Sequence, residues 1–174
     1  MSFPPTIPTD ARPVQAAWPE LTCFGCGTAN PDGMHLQSFV GEDGTDLVAT
    51  IEPEDRFRVA PGVLYGGTVA SLIDCHGVWT AMTLREPPGR RPPDALPARP
   101  TVTGELSVRY EAPTPLGEPL YLRGRLEAVD GRRSTFAVEL GPADGVTATG
   151  RLVTFEVDAI GEAAGPTRGH RRAR

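Results

Sequence analysis

"PGVLYGGTVASLIDCHGVWTAM", Pro61 to Met82, is the stretch whose reading decides the fold. Two glycines, Gly66 and Gly67, stand where a helix begins, and Asp74 interrupts a run that is otherwise apolar or small. From roughly Thr68 to Arg85 the segment reads as the one long helix of the chain. Val69, Leu72, Ile73, Trp79 and Leu84 supply bulk, and Pro87-Pro88 forbids continuation. On a helical wheel Asp74 shares its side with Ala70, Gly77, Val78 and Ala81, a mostly small stripe that lets a sheet, a second subunit or a ligand come close to the backbone.

Working outward, three Asp-Gly dipeptides mark hairpins: Asp43-Gly44, Asp130-Gly131 and Asp144-Gly145. They predict pairing of 36–40 with 46–52 and of 120–129 with 133–140, the latter continuing into 146–157. "TVTGELSVRY" alternates, with Val102, Leu106, Val108 and Tyr110 on one side and Thr101, Thr103, Glu105, Ser107 and Arg109 on the other. In the last strand the apolar parity changes at Leu152–Val153, which predicts a bulge there or burial of both faces. The order is β-β-α-β-β-β-β, an α+β arrangement in which a curved antiparallel sheet of about six strands wraps one long helix. Residues 1–20 read as a flexible N-terminal tail, 21–158 as the domain, and 159–174 as a flexible, basic C-terminal tail carrying Arg171, Arg172 and Arg174.

Composition narrows the chemistry. The 174 residues carry a net charge of −5, which gives no global attraction to nucleic acid or anionic membrane. No apolar run approaches the roughly 20 residues that span a bilayer, and "MSFPPTIPTDARP" has no signal-peptide pattern. A cytoplasmic protein is expected. All 17 basic residues are arginines, so lysine Schiff bases, pyridoxal phosphate attachment and Walker A loops are excluded. Histidine is scarce too: His35, His76 and His170.

A carboxylate in a small-residue stripe is partly desolvated, which suits general base work. The first N–H groups of a helix have no internal partners and sit at the positive end of its dipole, so Gly66 and Gly67 form a cradle for an anion or an oxyanion. Asp74 lies two turns beyond Gly67, about 10 Å along the axis. That is too far for both to touch one carbonyl carbon within a single chain, which hints at a site shared across a dimer. His76 is read first as a packed or interface-bonded histidine, and second as a catalytic candidate. Two residues from Asp74, it points the other way on the same helix and meets a carboxylate only across an interface.

At these residues the sequence resembles the hotdog-fold thioesterases of the PaaI-like, four-hydroxybenzoyl-CoA thioesterase superfamily. "PGVLYGG" matches that family's PG-x-x-HGG segment, with Asp74 nine positions after Tyr65. "TVTGELSVRYEAPTPLGEPL" resembles its central strand and turn, and "CFGCGTANPDGMHL" an N-terminal segment of some members. The resemblance spans about Cys23 to Val157. It implies a hotdog fold, a dimer or dimer of dimers, and hydrolysis of an acyl-CoA thioester without a cofactor. Asp74 is then general base or nucleophile, the Gly67 amide polarises the carbonyl, and Gly66 adjoins the substrate. Tyr65 stands where the family has histidine, and Val59 where some members have Asn or Gln. The alternatives are an acyl-CoA-binding hotdog protein without turnover, marked by Tyr65, and a hotdog dehydratase.

Two further features need placing. CoA carries phosphates, which makes Arg90 and Arg91 in a Pro-rich loop, and Arg132 and Arg133 at a hairpin tip, candidate contacts. "CFGC" has half the spacing of a zinc site, and only His35, Cys75 and His76 remain to complete it. The segment reads instead as a tight turn with two small buried thiols, with no metal expected. No βαβ pattern surrounds it, so a thioredoxin-like role is disfavoured.

Overall fold

The structure is a computed structural model that describes residues 3–158. The expected C-terminal tail lies outside the described residues. Eight strands and one long helix follow in chain order: β1 Ser38–Val40, β2 Asp46–Ile51, β3 Arg58–Ala60, β4 Val63–Leu64, α1 Gly66–Leu84, β5 Thr101–Tyr110, β6 Leu120–Asp130, β7 Arg133–Gly141 and β8 Ala148–Glu156. Six strands form one antiparallel sheet in the order β1-β2-β6-β7-β8-β5, and β3 and β4 form a separate small ribbon.

Local chemistry accounts for much of this order. Asp43 accepts hydrogen bonds from the Thr45 N–H and hydroxyl, Gly44 takes a positive φ of 72°, and β1 and β2 pair on either side. Asp130 pairs with Arg133 around Gly131, whose φ is 55°, closing a two-residue hairpin between β6 and β7. The β3–β4 ribbon, which the sequence pattern does not announce, turns on Gly62 at φ 73° and delivers the chain to the helix.

Helix α1 contacts β1, β2, β5, β6, β7 and β8, so the sheet wraps it on several sides, as expected for the hotdog arrangement. The core is built from Leu72, Ile73 and Trp79 of the helix with Leu47, Leu120, Leu122, Phe136, Leu140 and Leu152 of the sheet, all at most 2% exposed. Helix and sheet approach closely because side chains are missing at the contacts. A Cβ on Gly150 would collide with Ile73, one on Gly124 with Thr80, and one on Gly77 would stand 2.6 Å from a Leu152 methyl. No described helix is long and apolar enough to cross a membrane.

Two sequence expectations change here. The N-terminal segment, expected to be flexible over residues 1–20, docks on the domain in part. Val14–Ala17 forms a 3₁₀ turn, and Val14 and Gln15 are fully buried. Gln15 is held by sheet partners: its Oε1 accepts from the Ser38 N–H at 2.9 Å. A buried amide with a partner stays buried, whatever the proline content around it. The irregularity expected in the last strand lies across from it. The register of β5 against β8 shifts between Thr103 and Glu105, opposite Thr154 and Val153. The other reading of that parity change, burial of both faces, also holds, since Leu152, Val153 and Thr154 are all buried.

Candidate active site

The bulge at Gly104 reorganises the strand on which the site depends. It inserts one extra residue, so Thr101 and Thr103 turn to the same side as Leu106 and Val108 instead of the opposite one. A Cβ on Gly104 would lie 2.7 Å from a ring carbon of Phe155, which explains the glycine. The alternation read from the sequence put Thr103 on the outer face; the structure puts it against the helix. There the Thr103 hydroxyl donates to Asp74 Oδ1 at 2.6 Å.

Asp74 is half-buried and lines an apolar cavity of about 180 Å³. Trp18, Leu21, Val78, Trp79 and Met82 supply its walls, and Thr101 lies at its edge. The cavity wall is thus shared by the helix, the first residues of β5 and the docked N-terminal segment. Sequence reasoning missed this contribution because Trp18 and Leu21 fall in or beside the expected tail.

The glycine pair lies about two turns before Asp74 on the same helix. Tyr65 caps the helix with extended backbone, and its carbonyl accepts from the Thr68 and Val69 N–H groups at 2.9 and 3.2 Å. The Gly66 and Gly67 N–H groups precede those first helical bonds and point out of the helix end. Two exposed aromatic rings flank them. The Tyr65 ring folds over Gly67, where any Cβ would collide with it, and the Tyr110 hydroxyl donates to the Gly66 carbonyl at 2.8 Å. Tyr110 was not singled out from sequence; the only signal was its place at the end of the alternating strand.

His76 does not join this group. It is fully buried, with Nε2 donating to the Leu47 carbonyl at 3.0 Å. A carbonyl can only accept, so Nδ1 is the acceptor, and it takes the Ser38 hydroxyl at 2.9 Å. Burial pushes the imidazole down to about 4, with the Leu47 carbonyl opposing weakly. A neutral ring bonded at both nitrogens inside the core reaches no second chain. This is the packing role, and within the chain His76 does not approach Asp74's cavity.

The arginines separate in the same way. Arg91 bonds the Glu86 carbonyl through Nε at 2.7 Å and the Gly44 carbonyl through Nη1 at 2.8 Å, pinning the Pro-rich loop to the β1–β2 turn. Arg132 pairs with Asp158 at 3.0 Å. Arg132 and Arg133 stand on the β6–β7 tip, which Arg85 at the helix C-terminus holds through the Gly131 carbonyl, at the far end of α1 from the glycine pair. Arg90 is exposed on the Pro-rich loop. The four candidate phosphate contacts therefore do not converge within one chain.

One convergence was not visible along the sequence. Cys75, next to Asp74, meets Cys23 and Cys26, and the three sulfurs lie within 4.8 Å of one another. Hydrogen bonds from its two cysteine neighbours and from backbone amides hold the Cys23 thiol well below its usual range, while Cys26 is pushed up to about 12, chiefly by Cys23.

Comparison with known proteins places this geometry. No curated protein sequence matches the chain. Among solved structures it is similar to a thioesterase superfamily protein from Shewanella loihica PV-4, at 31% identity over 70% of this chain and 90% of that one, with a TM-score of 0.57. A second thioesterase superfamily protein is 28% identical over 84% of this chain and 72% of its own, with a TM-score of 0.60. The fold is also that of the E. coli PaaI protein from the phenylacetic acid degradation operon, at 12% identity over 64% of this chain and 72% of that one and a TM-score of 0.53. A family model described as the thioesterase superfamily matches residues 61–149, just over half of the chain. That segment runs from the turn before the glycine pair through Asp74 and Thr103 into β8, and by this match the chain belongs to the thioesterase superfamily.

Proposed function

We propose that the protein hydrolyses a small or medium acyl-CoA thioester, aromatic acyl groups included, with Asp74 as the base. The observation that carries this reading is the placement of Asp74: a half-buried carboxylate on the wall of an apolar cavity, with one oxygen held by Thr103. The acyl group occupies the cavity. The second Asp74 oxygen takes a proton from water as the hydroxyl adds to the thioester carbon. The oxyanion is met by a Gly67 N–H, which is oriented before the reaction begins and costs no reorganisation during it. The C–S bond then breaks, and the CoA sulfur leaves with the proton. In the variant route Asp74 itself attacks the carbonyl, the C–S bond breaks with CoA leaving as the thiolate, and water opens the resulting anhydride to the free acid and the restored carboxylate.

Seven residues separate Gly67 from Asp74 on one straight helix, about 10 Å. The reading therefore includes a dimer, or a dimer of dimers, in which the glycine amide of one protomer and Asp74 of its partner converge on one carbonyl. Tyr65 supplies a hydroxyl at the glycine pair in place of the family's histidine, and Gly66 keeps the backbone open beside it. Of the four arginines, Arg90 and Arg133 stay exposed and are the ones proposed to meet CoA phosphates. The proposed setting is cytoplasmic, and no cofactor takes part.

The test is release of free thiol from a panel of acyl-CoA thioesters, followed with a thiol-reactive dye, for the wild type and Asp74→Asn. Thiol release that disappears in the variant supports the reading. Saturable acyl-CoA binding without thiol release from the wild type would instead favour a binding protein, and altered acyl unsaturation with the thioester intact would favour a dehydratase.

A further inference from the structure

The three cysteines form a cluster whose geometry goes beyond any need of thioester hydrolysis, and the inference from it is independent of the function proposed above. Cys23 and Cys26 lie on one tight turn, closed by the Gly27 N–H donating to the Cys23 carbonyl at 2.8 Å. Cys75 comes from the third turn of α1, 52 residues along the chain from Cys23, and the Cys23 and Cys75 sulfurs stand 3.7 Å apart. In a tetrahedral thiolate site with metal–sulfur bonds near 2.3 Å, the sulfurs are about 3.8 Å apart. The match is close, and the third sulfur lies within 4.8 Å of both.

The surroundings are those of a ligand set. The Trp79 Nε1–H donates to the Cys26 sulfur at 3.3 Å. Such N–H···S bonds support negative charge on sulfur and fix its direction. Gly25 is required by the arrangement, since any Cβ there would collide with the Cys75 sulfur. All three cysteines remain free thiols. They also line the apolar cavity, so a fourth coordination position opens into it.

We propose that Cys23, Cys26 and Cys75 bind one thiophilic d10 cation, Zn(II) or Cu(I), clamping the N-terminal CFGCG turn to the catalytic helix. Each thiol gives up its proton on binding. Three thiolates alone satisfy Cu(I), whereas Zn(II) completes a tetrahedron with a water in the cavity. Either ion fastens the wall made by Trp18 and Leu21 beside Asp74.

The full-length protein, reduced and kept anaerobic, is titrated with Zn(II) against a chromophoric chelator and with Cu(I) against bicinchoninate. The expected result is one ion per chain. X-ray absorption on the loaded wild type is expected to count three sulfurs at about 2.3 Å, with one additional light atom for zinc and none for copper. Loading at about 100-fold above Kd is expected to raise Tm by roughly 5–10 °C. Cys75→Ser is expected to weaken binding at least about 100-fold, and Trp79→Phe about 10-fold. No stoichiometric uptake, fewer than three sulfurs, or a Cys23–Cys75 disulfide as the sole product would overturn the proposal. Because the sulfur count comes from the wild type, a serine variant that fails to fold leaves that test intact.

Discussion

Thr103 and Asp74 are joined by a 2.6 Å hydrogen bond that ties the edge strand β5 to the middle of α1. The bond fixes one oxygen of a carboxylate whose residue lines the cavity. Asp74→Asn is expected to lower kcat by about 10²–10⁴, the usual worth of a positioned base. Thr103→Val keeps the carboxylate but frees its rotation, and is expected to lower kcat roughly 10-fold with KM little changed. Steady-state kinetics of both variants decide this. Wild-type kcat in Thr103→Val would show that Asp74 needs no such anchor.

The helix and the hairpins were legible because each rests on chemistry within a few residues: a proline stop after Leu84, and glycines of positive φ at Gly44 and Gly131. The places of the glycine pair at the start of the helix and of Asp74 along it were legible for the same reason. Thr103 was not, because one inserted residue at Gly104 reverses the face of everything before it. Nor does a linear reading show that Gln15 reaches Ser38 across 23 residues, or that Cys75 reaches Cys23 across 52. These contacts depend on where the completed sheet brings the termini of its elements, which periodicity does not encode. The partners that fill the packing role of His76 were hidden for a related reason: Ser38 and Leu47 lie on strands far from it in sequence.

The Gln15–Ser38–His76–Leu47 chain is a stability device rather than a catalytic one. Replacing His76 with Leu removes the side-chain donor to the Leu47 carbonyl and the acceptor of the Ser38 hydroxyl. A buried group left without its partner costs about 1–3 kcal/mol, so His76→Leu is expected to be destabilising by roughly 2–4 kcal/mol in urea unfolding. A residual thiol-release rate equal to wild type in the folded fraction separates this role from chemistry.

Gln15 makes the same point for the N-terminal segment. Its side chain is fully buried and accepts from the Ser38 amide. Gln15→Ala is expected to cost about 1–3 kcal/mol. A flexible tail predicts no change at all, so a urea midpoint identical to wild type would return residues 1–20 to that status.

Gly77→Ala tests how closely helix and sheet are fitted. On a solvent-facing helix this change gains about 0.5–1 kcal/mol from backbone entropy and propensity. Here the new methyl meets Leu152, which is fully buried and has nowhere to move. Overpacking of this kind costs about 1–3 kcal/mol, so the sign reverses and net destabilisation is expected. A stabilised variant would mean that α1 slides on the sheet more freely than its contacts imply.

The cavity beside Asp74 gives the last expectation. Val78 is half-buried on the helix face four residues beyond Asp74 and contributes to the cavity wall. A phenylalanine there projects into a space of about 180 Å³ and removes room for the acyl group. Loss of one methylene's worth of pocket changes discrimination by about 10–200-fold. Val78→Phe is accordingly expected to depress kcat/KM for the larger acyl-CoA thioesters by at least 10-fold while leaving the smallest nearly unaffected. The measurement is the same acyl-CoA panel, read as a ratio between long and short substrates so that any change in protein quality cancels. A uniform loss across the panel would place the acyl group elsewhere, since a filled pocket must penalise the substrates that need its volume more than those that do not.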